Sequence, residues 1–488
     1  MIKLSIRYIE IAGLTLLLSA CGGGSSSGGS TPPPPLATLS WGTPEAIDSG
    51  NNPSLHPQIA MDAAGNAQAL WLENDSTATQ RYYAWTNQYT AGSSWGSPLE
   101  IETQTSLSSG LTYTAPSPPS IAMNSAGYAK ATWEQWVNIA GTGLATYLYG
   151  IWASNYDTAI WTIPVAVEAG LGISGGGVNS LQPQAAINSN SDTVMIWNRV
   201  ENVASNPQGI WASVSFDGGM PKPVSYGPAS DPRINLDDAG NSVAIWRALP
   251  PGATNSNKTV WSSQYDVRTS AWNTPAPIQS MTSFNVQDAE LAGNANGVVF
   301  AVVERTESNG QNNIYAAHFI TSPSATFGVT GSWVYDQPLQ FTQDSITAPQ
   351  VAVDANGNAM AVWVQIGYLS GTRKIWASYY NMSQSQWGSP VLIDNQTGFS
   401  AESPQVAFGP AGNAIVVWAE YDAVNSSNKR IWSNEYTPAS GWGAASAVES
   451  GTGYASSEPQ VKIDGNGNAI CVWTRTENSQ ARIWASRL

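Results

Sequence analysis

Four tight segments offer the most obvious ligating oxygens. Residues 62–66, 237–241, 354–358 and 464–468 each read Asp-x-x-Gly-Asn. Calcium loops converge several carboxylates or carbonyls on one ion, whereas each of these segments brings a single carboxylate. The pattern describes a chain reversal instead: Asp caps the turn through its own backbone, Gly takes a positive φ, and Asn supports the next strand. Histidine is sparse. His56 precedes a first strand and His318 lies on a third, with nothing to bring the two together. That leaves neither ligands for zinc nor the parts of a Ser-His-Asp nucleophile. No metal or cofactor is expected, and the chain reads as a non-enzyme, although its many loop Asp and Glu residues are compatible with a carboxylate pair that cleaves glycosides.

Two groups of residues are candidates for binding a ligand. Arg233, Asn235, Asp288 and Glu290 are polar departures at positions that hold Gln or Ala in most copies of a repeat, and they fall on neighbouring copies. Such a group is either a salt bridge that satisfies itself or a polar ligand site at a channel mouth. The second group is Trp136 with Glu134, read as part of a variable connection. Trp136 is the one tryptophan of 22 outside the repeat register. An aromatic there either stacks on a ligand or packs under its own loop.

The elements that must position these residues come from the repeat. Its copies begin at Pro57, Pro119, Pro183, Pro232, Gln287, Pro349, Pro404 and Pro459, spaced by 62, 64, 49, 55, 62, 55 and 55 residues. Periods of this size mean solenoids, propellers or arrays. Each copy reads as four short strands, as in Gln405-Val406-Ala407-Phe408, then Ala414 to Trp418, Ile431 to Tyr436 and Gly441-Trp442-Gly443. Continuous apolar strands of this kind are covered on both faces. The last copy lacks its Trp-Gly-Ser-Pro segment, and a matching segment, Trp41-Gly42-Thr43-Pro44, stands alone near the start. The pattern predicts an all-β fold, an eight-bladed β-propeller of four-stranded blades, closed by an N-terminal strand that completes the last blade. Seven blades is the alternative, because the fifth copy is weak: Ala292 stands for the turn Asp and Ala301 for the strand-two Trp. The other tryptophans recur on strands two, three and four, so aromatic richness reads as scaffold packing.

Composition narrows the partners. Formal charge is -15 and the pI is near 4.5, which excludes nucleic acid, whose phosphates would be repelled. Lys3 and Arg7 precede an apolar run from Ile11, which ends in Leu18-Ser19-Ala20-Cys21. This segment resembles the bacterial lipoprotein signal, and the resemblance implies cleavage before Cys21 and lipidation of its thiol. Gly22 stands where that family's inner-membrane retention signal places Asp, which implies the outer membrane. Residues 1–20 are thus read as signal, 21–37 as a Gly/Ser/Pro-rich tether and 38–488 as the propeller. Cys471, the other cysteine, lies in an apolar run and reads as a small buried hydrophobe.

The repeats themselves resemble those of secreted bacterial proteins with Pro-Gln-Val-Ala-Val-Asp-x-x-Gly-Asn-Ala units, here at 349–359. That resemblance implies the fold without an activity. The sialidase Asp-box and the quinone-dehydrogenase propeller motif are not met by the spacing of Asp354, Gly357 and Trp363. By analogy of fold with the propeller lipoprotein of the outer-membrane assembly machinery, the expected function is a monomeric, membrane-anchored scaffold for protein partners in the cell envelope. The alternatives are a carbohydrate-binding propeller using Trp136 and, behind it, a polysaccharide-degrading enzyme.

Overall fold

The computed structural model describes residues 40–74, 81–102, 116–139, 146–168, 178–201, 208–250, 257–278, 284–321, 331–340, 343–394, 398–422 and 427–488. The signal, Cys21 and the tether lie outside the described residues, as do parts of the variable connections. Trp41–Leu488 form one compact unit.

The sixth repeat shows how sequence becomes structure. Its strands are Ser345–Val353, Ala359–Ile366, Arg373–Asn381 and a broken fourth, Gln386–Trp387 with Val391–Leu392, all antiparallel. β-branched and aromatic residues fill the strands, and the turn between the first two is held by Asp354. Its Oδ1 accepts the backbone N–H groups of Asn356 and Asn358, both at 2.8 Å, while Oδ2 accepts the Asn358 amide at 2.7 Å. Gly357 follows at φ 86°, a conformation costly for any residue with a Cβ. The turn carboxylate is spent on its own loop.

Among the described residues six such sheets stand separately, and a nine-stranded sheet contains two more repeats joined through one parallel pair, Lys429 with Ala455. The first strand of each repeat lies against that of the next, and the first strand of the eighth, Ala455–Ile463, lies against that of the first, Ser54–Met61. Side-chain packing joins the sheets. In seven repeats the strand-two Trp sits opposite the strand-three Trp, as Trp71 opposite Trp85 and Trp473 opposite Trp484. The seven strand-two rings are fully buried. Each packs against the preceding sheet: Trp418 meets Val362 and Ile375, and Trp71 meets Val472 and Ile483 of the eighth repeat.

Two expectations need correction. In the fifth repeat the turn residue is Asn294, not Ala292, since its Oδ1 accepts the N–H groups of Asn296 and Val298 just as Asp354 does for its own loop. The Trp position is held by Val303 opposite Tyr315, not by Ala301. The fifth repeat therefore departs less from the pattern than its sequence suggests. Trp136 also moves. Strand two of the second repeat runs Ala129–Ile139 and pairs with Thr146–Tyr156, so Trp136 lies within a strand, opposite Tyr149, rather than in a connection. The run Trp-Glu-Gln-Trp-Val-Asn-Ile simply prolongs the hairpin. The Trp136 side chain is outside the described residues.

A shared distortion marks the first strands. The residue before the leading proline has positive φ in six repeats: His56, Gln182, Asp231, Ala348, Ser403 and Glu458, between 51° and 57°. Residues before proline ordinarily avoid the helical regions, and a non-glycine residue here costs on the order of 1–3 kcal/mol. The strain accompanies a bulge: Thr347 pairs with Val364 and Gln350 with Val362, leaving Ala348 and Pro349 together opposite Trp363.

Candidate functional site

The register brings one residue of every first strand to a common level. Gln58, Ser120, Gln184, Arg233, Glu290, Gln350, Gln405 and Gln460 each pair with the residue immediately before the strand-two Trp or its equivalent. By sequence, Asp288 belonged at this level and Glu290 two residues further on. The register corrects that. The fifth repeat has no leading proline, and its bulge falls at Gln287, between the paired residues Val286 and Asp288. Two residues below lies a level of small side chains: Ala60, Ala122, Ala186, Ala292, Ala352 and Ala407, interrupted by Asn235 and Lys462.

At the upper level a cavity of about 360 Å³ is lined by residues from all eight repeats. Five of its residues are glutamines of that level, Gln58, Gln184, Gln350, Gln405 and Gln460. They are half-buried, and none of the five carboxamides has a hydrogen-bond partner among the described residues. Each offers two N–H donors and an acceptor oxygen to whatever enters.

The remaining sector is charged and paired. Arg233 grips Glu290 of the next repeat through two parallel bonds, Nε to Oε2 at 2.8 Å and Nη2 to Oε1 at 2.6 Å. Beside it Asp231 receives the Gln182 amide at 2.7 Å and the Arg247 guanidinium. Burial would raise the Asp231 pKa, but hydrogen bonding from Ser230 and the charge of Arg247 outweigh it and hold it low. Asp288 behaves oppositely. Burial, reinforced by Glu290 and only partly offset by Arg233, pushes it up to about 6. One of its oxygens accepts the Ala289 N–H at 2.8 Å.

Of the residues singled out from the sequence, the fold thus groups Arg233, Asp288 and Glu290. Asn235 belongs to the level below and to a different cavity. Glu134 is buried and clasps its neighbour: it accepts the Gln182 N–H at 2.6 Å and the Ser117 N–H at 3.2 Å, while burial raises its pKa. Asp231 and Gln182 were missed. The signal that could have found them is their place before a proline in a repeat where that place recurs.

A second clasp joins the last repeat to the first. His56 Nδ1 lies 2.8 Å from Glu458 Oε1, and the His56 N–H donates to Oε2 at 3.0 Å. His56 therefore meets a carboxylate of the eighth repeat, and His318, stacked near Phe300 and Tyr380, is elsewhere. Burial would raise the Glu458 pKa, yet its bonds and charge pairing with His56 bring it below the ordinary 4.5. A carboxylate whose folded pKa is depressed stabilises the protein above its unfolded pKa and loses that contribution as pH falls through the folded value. Melting temperature should hence fall below about pH 4.5. In His56→Ala that acid-side loss should shrink, because burial is no longer offset and the Glu458 pKa returns toward its unfolded value, and identical pH profiles for the two proteins would refute the clasp.

No protein-family model and no curated protein matches the chain. Among solved structures, similarity extends to a puromycin hydrolase, 13% identical over 90% of this chain and 61% of that one, TM-score 0.48. It extends also to the polysaccharide lyase Uly1, 10% identical over 86% and 88% of the two chains, TM-score 0.47. A third is the β-propeller domain of the Trilobed protease from Pyrococcus furiosus, 8% identical over 82% and 96%, TM-score 0.41. Identities this low concern the fold alone. That likeness runs against the non-enzyme reading, since the structures include a lyase and a hydrolase, and it assigns no activity to this chain.

Proposed function

We propose that the chain is an eight-bladed β-propeller, closed by pairing of Glu45–Ala46 with its last strand, that binds a saccharide at the glutamine-lined mouth. The lipid at Cys21 would hold it to the outer membrane. One observation carries the reading: five unpartnered carboxamides surround a single cavity beside the Arg233–Glu290 pair. A carboxamide both donates and accepts, which matches sugar hydroxyls that do the same, and about 360 Å³ lies in the range of small-ligand sites. A concave polar cavity suits a saccharide better than the flat, aromatic-rich patch of a protein scaffold.

The test uses a Cys21→Ser chain, which should leave the membrane fraction, on a glycan array followed by titration calorimetry. Each lost hydrogen bond is worth about 1 kcal/mol, so combining Gln350→Ala, Gln405→Ala and Gln460→Ala should weaken binding on the order of 100-fold. A blank array, or unchanged affinity in the triple variant, would sink the saccharide reading. A protein recovered from solubilised envelopes would then favour the scaffold.

Asp288 favours a second reading, in which the bound saccharide is cleaved. A carboxyl group with a pKa of about 6 is poised to pass a proton near neutrality, and it feels the charge of Arg233, which lines the cavity. Product formation in the same samples, abolished in Asp288→Asn, would establish this, and no turnover of any bound saccharide would dismiss it.

A further inference from the structure

The glutamine mouth is walled on every side at its own level. First strands of successive repeats lie one against the next, and the circuit includes the contact of Ala455–Ile463 with Ser54–Met61. Every residue that lines the mouth belongs to a first strand or to the segment Ser117–Pro119 leading into one. None comes from a second, third or fourth strand, so no gap between two sheets opens sideways into the cavity. Below, a separate cavity of about 540 Å³ begins at the alanine level, and no residue lines both.

That shape constrains which part of a glycan can enter. An internal unit of a linear chain carries a linkage on each of two sides, so whatever holds it must be open in two directions. A pocket surrounded by eight strands leaves one direction for the rest of the chain, which suits a unit with a single linkage. Volume agrees: about 360 Å³ is at the small end of the roughly 300–1,000 Å³ typical of ligand sites, room for about one or two sugar rings. Charge limits the ligand further. The lining carries Arg233 against Asp231 and Glu290, and each of the three is already engaged: Arg233 with Glu290, and Asp231 with Gln182 and Arg247. An acid group on the ligand would meet a surplus of its own sign and no free cation in the lining. The unpartnered carboxamides, by contrast, suit hydroxyls.

We propose that the mouth receives the terminal unit of a neutral glycan chain and excludes internal segments. This rests on the saccharide reading and specifies which part of the chain is bound. The test is an array of linear neutral gluco-, manno- and galacto-oligosaccharides, disaccharides to hexasaccharides, printed in two sets. One set is attached through the reducing end and the other through the non-reducing end. Binding should appear in one set only, and calorimetry of the bound series in solution should give affinities within about threefold from trisaccharide to hexasaccharide. Capping the recognised end with a uronic acid should weaken binding about tenfold or more. Equal binding of the two sets, or affinity that climbs about tenfold from trisaccharide to hexasaccharide, means that an internal segment is held. Either result overturns the inference and leaves the saccharide reading standing, and a uronic-acid cap that binds as well as the neutral end overturns the neutral assignment. Two blank sets, or binding unchanged in the Gln350, Gln405 and Gln460 triple variant, sink both.

Discussion

Deleting residues 41–48 is expected to destabilise the entire array by more than about 5 kcal/mol, a large part of a typical domain's stability. The segment is short, yet it is bonded along its length. Gly42 N–H donates to the Arg487 carbonyl at 2.7 Å, Glu45 and Ala46 pair with Ala485 and Trp484, and Ile47 N–H reaches the Ile483 carbonyl at 2.9 Å. Ile47 is 2% exposed, within the core shared by Trp71 and Ile483. Burying such a side chain contributes about 1.5–3 kcal/mol. Asp48 adds the largest share. Its fully buried carboxylate receives Arg482 through Nε at 2.9 Å and Nη2 at 2.6 Å, and the Ile483 N–H at 3.0 Å. Removing one partner of a buried pair leaves the other uncompensated, so Asp48→Ala alone should cost about 3–5 kcal/mol. Calorimetric melting of the deletion and the point variant checks this. A deletion variant that melts cooperatively at the wild-type temperature would show that the segment does not hold the last sheet.

Glu290→Ala should be the next most damaging change, at about 2–4 kcal/mol. It strands the Arg233 guanidinium, but it costs less than Asp48→Ala because the fully buried Asp48 also accepts the backbone N–H of Ile483, which its removal leaves unpaired. The double variant Arg233→Gln with Glu290→Gln restores the residue that five other first strands carry at this level, and it should lie within about 1 kcal/mol of the wild type. Denaturant unfolding of the two single changes and the double one completes a cycle. A coupling below about 0.5 kcal/mol would mean that the pair is not a unit. If the double variant is stable, it also offers a clean test of whether charge at the mouth matters for the ligand.

The fifth repeat shows how altered turn residues hide a strand register. Its turn uses Asn294, which makes the same Oδ1 bonds as Asp354, and its leading position has no proline. With both punctuation marks altered, a two-residue slip left Asp288 where Glu290 belongs. A slip of two preserves which face each side chain takes, so nothing in the hydrophobic pattern exposes it. The paired tryptophans were legible because their spacing repeats and their size leaves them few places to go. The clasps were not, since Glu134 with Gln182 and His56 with Glu458 join residues 48 and 402 positions apart.

By itself the sequence determined the strand order, the turn chemistry of Asp354 and Gly357, the tryptophan packing and the presence of a polar sector at Arg233 and Glu290. Each of these is local or periodic, so period and turn residues encode it. Only the tertiary structure decided that five glutamines from distant repeats face one cavity without partners, and that first strands wall that cavity on every side. A side chain's partners depend on which strands the register brings alongside, and a bulge in seven of the first strands, invisible as hydrophobic pattern, sets that register.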